Sequence, residues 1–197
     1  MKNYLFTLLI TSLLFYQCTQ SKEVAPNAPN IDYDQESIEL MKTLAPQIVG
    51  QWKLRQVKIK YQNYNTSQKE LKIAKDTTLL DIATLTIVPA AVPRSSPRDF
   101  RRGEYDGTIK YGNKTYPVQF DMLANADWII NRKGPQTFFL FSYRFPNGSH
   151  LTEPEEAFLQ KIGLVGDNFS LETTSKQSTM IWRGLNRGIE QIELVKQ

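Results

Sequence analysis

Tyr105-Asp106-Gly107-Thr108-Ile109-Lys110-Tyr111-Gly112-Asn113-Lys114-Thr115-Tyr116-Pro117-Val118-Gln119-Phe120-Asp121-Met122 speaks most plainly about the architecture of this chain. Tyr105, Ile109 and Tyr111 alternate with Asp106, Thr108 and Lys110; beyond Gly112-Asn113, Tyr116, Val118, Phe120 and Met122 repeat the pattern. A period of two puts the apolar set on one face of a strand. Gly and Asn tolerate positive φ, so Gly112-Asn113 predicts a tight two-residue β-hairpin.

The same period extends in both directions. Upstream, Trp52 and Leu54 alternate with Lys53 and Arg55, and Val57, Ile59 and Tyr61 continue on the opposite parity. That switch predicts a bulge near Gln56. Ile82 to Val88 reads as a further strand. Downstream, Trp128-Ile129-Ile130 and Gln136 to Phe145 flank a turn at residues 131–135. The run Phe138 to Tyr143 is apolar on both faces at first, which predicts a central strand covered on both sides at that end. Three more strands are expected near 168–174, 178–185 and 189–196, with Ser175-Lys176-Gln177 and Asn186-Arg187-Gly188 as their turns.

Two helices break the pattern. Asp34 is placed to cap one carrying Ile38, Met41, Leu44 and Ala45, and Pro46 should end it near Ala45. Thr152-Glu153-Pro154-Glu155 matches a capping box before Phe158, Leu159 and Ile162, with Gly163 at the end. This second helix would fill the mouth of a barrel or cover a cavity as a lid. Eight or nine short strands joined largely by hairpins predict a mainly β fold, an antiparallel barrel or a β-sandwich.

The N-terminus differs in kind. Lys2 precedes the uncharged run Tyr4–Tyr16, and Cys18, the one cysteine in the sequence, opens a polar stretch. A basic start, a short apolar run and a cleavage point form a secretory signal. The run falls short of the ~20 residues that cross a bilayer as a helix. With cysteine at the junction it resembles the lipobox of bacterial lipoproteins, in the relaxed form of Bacteroidetes, with Phe15 and Gln17 before Cys18. The resemblance implies residues 1–17 as signal peptide, acyl chains such as palmitate on Cys18, and a cell-envelope location. Thr19, rather than Asp, after the cysteine suits the outer membrane. Residues 18–33 then form a flexible tether, and 34–197 the barrel domain.

Composition excludes several functions. With Cys18 acylated, no disulfide forms in the mature chain, and a single histidine, His150, leaves no material for a Cys/His metal site or a Ser–His nucleophile. Glycine-rich phosphate loops are lacking, so no cofactor and no enzymatic activity are expected. The 24 basic and 20 acidic residues become 23 and 20 once Lys2 is removed, a net +3 that does not argue for nucleic acid. Asp106 and Asp121 lie on polar parities and are expected to face solvent. The densest basic segment holds Arg94, Arg98, Arg101 and Arg102, a loop or a patch for anionic headgroups.

Gly50-Gln51-Trp52, after a short helix and at the start of the first strand, resembles the Gly-x-Trp element of lipocalins and of lipocalin-like domains in Bacteroidetes lipoproteins. The resemblance implies an eight-stranded up-and-down barrel, with Trp52 closing one end and Arg183 packed over it. Tyr116, Trp128, Phe139, Phe141, Tyr143 and Trp182 are then the candidates to line a cavity, or to fill it, since eight strands leave room for either. The functional expectations are a lipid-anchored envelope protein binding a small apolar ligand, an accessory subunit of an outer-membrane assembly with a filled core, or, third, a glycan-binding module.

Overall fold

The computed structural model describes residues 31–95, 97–147, 150–173, 178–186 and 188–197. The expected signal peptide, Cys18 and nearly all of the tether fall outside the described residues, as does the Ser175-Lys176-Gln177 turn. Residues 32–197 form one compact unit.

Helix α1 (Tyr33–Ile48) opens it. Its cap is Asp32, not Asp34: the Asp32 carboxylate accepts from the backbone N–H groups of Asp34 and Gln35 at 3.1 Å. The helix also runs through Pro46 rather than ending before it. Proline there sits in the last turn and forfeits one intrahelical bond, a smaller loss than the burial of Ile48 one turn from Leu44 repays.

Strands β1 (Gly50–Ile59), β2 (Thr77–Leu80), β3 (Ala83–Pro89), β4 (Arg102–Tyr111), β5 (Lys114–Ala124), β6 (Thr137–Tyr143), β7 (Asp167–Thr173), β8 (Thr179–Gly184) and β9 (Ile189–Lys196) follow. Each pairs antiparallel with its neighbour, and β9 returns to pair with β1 from Trp52↔Lys196 to Ile59↔Ile189. The sheet is an eight-stranded closed barrel with one extra short strand. That extra strand is β2, which pairs with Gln56–Ile59 of β1 while β3 pairs with Gly50–Lys53. Between them Asp81 turns to φ 51° and its N–H bonds to the Arg55 carbonyl at 3.1 Å. The parity switch in β1 is a register shift against β9 between Leu54 and Gln56, where the sequence places a bulge.

The β4–β5 hairpin forms as its sequence predicts, with Tyr111↔Lys114 closing a two-residue turn and Gly112 at φ 60°. Other expectations are corrected. Trp128-Ile129-Ile130 is not a strand but part of helix α3 (Ala126–Asn131), whose cap Asn125 accepts from Asp127 N–H and donates to the Pro135 carbonyl at 2.7 Å. The outer face of β6 is not covered throughout, since Leu140 is 49% exposed. Helix α4 (Pro154–Lys161) is capped by Glu153 with Glu156, one residue beyond Thr152 and Glu155. Helix α2 (Thr66–Glu70) has no counterpart in the sequence expectations.

Apolar residues face inward and charged ones outward, the reverse of a membrane-spanning barrel. No helix among the described residues is long and apolar enough to cross a membrane. One end is plugged by α1 through Leu40, Met41, Leu44 and Ile48. The other is covered by α4, whose Phe158 stacks on Tyr111 at 5.3 Å, and by α2, whose buried Gln68 bonds Lys60 and Gln62. The second helix is therefore filler packed on the core, with Leu159 and Ile162 buried.

The β5–β6 ladder is interrupted. It pairs Val118↔Tyr143 and Gln119↔Ser142, then resumes at Leu123↔Phe138, so Asp121 and Leu140 stand opposite each other without ladder bonds. Elsewhere strands approach closely. A Cβ on Gly107 would lie 2.3 Å from the Thr86 carbonyl oxygen, backbone that cannot yield without parting β3 from β4. Gly107→Ala should therefore destabilise the fold by about 2–3 kcal/mol. A urea midpoint unchanged from wild type would show that the β3–β4 approach is not required.

Candidate functional site

The interior aromatics are the first candidate. Phe139 and Phe141 point inward from β6, and Trp182 meets them from β8 at ring-centroid distances of 4.9 and 5.3 Å. Phe120 and Phe169, which the sequence did not single out, complete the cluster at 6.0 and 5.8 Å from Trp182. These separations are those of rings in packing contact. Phe120 shares the inward parity of Tyr116 and Val118, a signal present in the hairpin sequence. The Trp182 indole N–H, on a residue 1% exposed, has no hydrogen-bond acceptor among the described residues.

The other expected cavity residues lie apart. Tyr116 and Tyr143 meet edge to face at 6.0 Å beneath α4, where Tyr116 donates to the Glu153 carboxylate at 2.7 Å and Tyr143 to the Glu156 carbonyl at 3.2 Å. Burial, with the Glu153 carboxylate adding to it at Tyr116, pushes both phenols well above the ordinary range. His150 lies beside them, its Nε2 2.6 Å from Glu156 and its ring on Phe145 at 3.7 Å. Trp128, on α3, is half-buried and faces a solvent-open concavity of about 280 Å³ with Gly134, Gln136, Glu172 and Thr173. A concavity of about 600 Å³ lies outside the barrel along β1 and β9 and is lined by Lys53, Arg55, Leu80, Asp81, Glu193 and Lys196 among others. Among the described residues no group of His, Cys, Asp and Glu has the arrangement of a metal site.

The barrel-end group differs from expectation in one member. Trp52 is buried and its Nε1–H donates to the Ile48 carbonyl at 2.7 Å, tying α1 to β1. The cation over its ring is Lys196, at 5.4 Å, not Arg183. Arg183 points outward from β8 and binds Glu172 at 2.9 Å. Register explains the exchange, because Lys196 is the residue directly opposite Trp52. Gly50 stands at φ 133°, with the Lys196 stem 3.1 Å from where a Cβ would be. A side chain there would be strained and would displace the lysine.

The basic loop before β4 is built around Arg94. Its Nη1 binds Asp121, and its Nη2 binds Asp106 at 2.5 Å and the Tyr105 carbonyl at 2.8 Å. Arg144 reaches Asp106 from the other side at 2.5 Å. Asp106 and Asp121, expected to face solvent, thus hold a partly buried guanidinium. Glu104, itself buried, accepts from Arg94 N–H at 2.8 Å and from the Ser95 N–H and hydroxyl. Burial raises the Glu104 carboxyl, but these bonds and the Arg94 charge outweigh it and hold it below the usual range. At Asp121 burial wins, and the carboxyl is pushed up against the pull of Arg94. Arg101 binds Asp99 at 2.9 Å and Asp34 at 3.2 Å, and Arg102 lies 3.5 Å from Asp99. The segment is therefore not a bare cationic patch: three of its four arginines are committed to carboxylates.

No family model, curated protein or solved structure matches the chain. The likeness to lipocalin-like domains is one of architecture, a closed antiparallel barrel of eight strands with Trp52 under a cation.

The ionised form of Glu104 is the one the fold favours. Its contribution is complete above the unfolded carboxyl pKa of about 4.3 and drains away as pH falls through the lower folded value. Glu104→Gln should be less stable than wild type at pH 7, and the difference should shrink in urea melts as the medium is acidified below the ordinary carboxylate range. A difference independent of pH would remove the carboxylate from the account.

Proposed function

We propose that this chain is a lipid-anchored, non-enzymatic envelope protein whose barrel works through its outer surface, as an accessory subunit beside the outer membrane. Cleavage before Cys18 and acylation there fasten it, and residues 19–31 join the anchor to the folded unit. The observation that carries the surface role is the filled interior: Phe120, Phe139, Phe141, Phe169 and Trp182 occupy the barrel centre in mutual contact, and helices close both ends. With the interior taken up by packed rings, the outer surface is where a partner would bind.

The small apolar ligand keeps one observation in its favour. The Trp182 N–H is buried without an acceptor among the described residues, a costly state for a donor, and it lies among the rings of the barrel centre. A ligand that used it would have to displace rings and offer one acceptor.

Acylation is tested by intact mass and palmitate labelling in a Gram-negative host. Wild type should carry acyl chains and sediment with membranes, and Cys18→Ser should be released or stay uncut. An unlabelled wild-type product would overturn the anchor.

A further inference from the structure

The eleven large apolar side chains exposed on the described surface are unevenly placed. Tyr33, Val88, Val92, Phe100, Leu123 and Ile130 lie at the end of the barrel where α1 begins. This end is defined by contacts. Arg101 reaches Asp34 at 3.2 Å, Tyr33 donates to the Ala124 carbonyl at 3.1 Å, and Arg132, just past α3, binds Glu36 at 2.6 Å. Tyr33 and Leu123 share a concavity of about 330 Å³ with Asp99 and Arg101. Within this group of six, Val92, Phe100 and Ile130 are the most exposed, at 66%, 62% and 57%.

The loop bearing Val92 and Phe100 is held in place. Arg94 and Ser95 fix its base to Glu104, Asp106 and Asp121, the Asp99 N–H binds the Ser95 hydroxyl at 2.9 Å, and Arg101 and Arg102 close on Asp99. Pairing cancels most of the loop's charge and leaves the apolar tips outermost. The remaining cation, Arg98, lies over the Phe100 ring at 5.6 Å. An aromatic ring with an arginine beside it suits the boundary between lipid headgroups and acyl chains.

We infer that this rim docks on the bilayer surface. The occupant follows from where the chain enters the folded unit. Residues 18–31 lead to Asp32, at this same end, and fourteen residues reach at most about 50 Å. On the anchor proposed above, the tether joins the barrel at this rim. Tethering also raises the effective concentration of the surface to about the millimolar range, so a contact too weak to recruit a free protein is occupied in an anchored one. The contact is mainly apolar in origin, because three of the loop's four arginines are held by carboxylates.

The inference rests on the lipid-anchored reading, but its test does not need the anchor. Residues 18–197 carrying Cys18→Ser, without acyl chains, are floated with phosphatidylethanolamine–phosphatidylglycerol vesicles over a range of lipid concentrations. Weak binding is expected, changing little between 50 and 500 mM salt, and Val92→Ser with Phe100→Ser should reduce the partition coefficient about tenfold or more. Leu140→Ser, on the barrel wall, should leave it unchanged. Unaltered melting temperatures check that these surface variants fold. Binding indifferent to the Val92 and Phe100 changes, or no binding at any lipid concentration, overturns the inference and leaves the rim to a protein partner. An unacylated wild type would sink the anchor and leave the flotation result standing.

Discussion

Everything in this structure depends on the return of β9 to β1. Without that pairing the sheet would have two open edges, and the aromatic residues of β5 to β8 would face an incomplete wall. The closure is reinforced at one point: Trp52 lies opposite Lys196, its ring under the lysine ammonium and its indole N–H on the last carbonyl of α1. The first helix, the first strand and the distant last strand therefore meet on one side chain. A cation over a tryptophan contributes about 0.5–2 kcal/mol, modest beside the burial of the ring, and the register of the last strand is what places it there.

Once closed, an eight-stranded barrel leaves an interior that side chains can fill. Here five aromatic rings do so, and α1, α2 and α4 remove the openings at the ends. Filling the barrel shifts the place where recognition can occur. The outer wall carries paired charges, while the rim at the start of α1 carries apolar tips on a loop braced by Arg94. The interior thus supplies stability, and the rim supplies a surface whose exposure the fold does not itself require.

Much of this was legible in the sequence because period-two alternation reports burial directly. The β4–β5 hairpin, the bulge in β1 and the last three strands are placed by that rule. It failed where local capping outweighed side-chain type: Trp128-Ile129-Ile130 has strand-forming residues, yet Asn125 caps a short helix there and Arg132 ends it at φ 54°. Pro46 misled because a proline in a final turn costs little. Lys196 was invisible as the partner of Trp52, since only the register between the first and last strands brings them together. Arg94 was invisible for the same reason: a loop arginine and the carboxylates of Asp106 and Asp121 meet only once β4 and β5 have paired.

The central claim is that the barrel is full and acts by its surface. Native mass spectrometry of the protein extracted from its own host tests this most directly. A mass equal to the processed chain plus its acyl groups is the result expected of a filled barrel. A further small molecule bound at one to one, released only when the fold is lost, would contradict it.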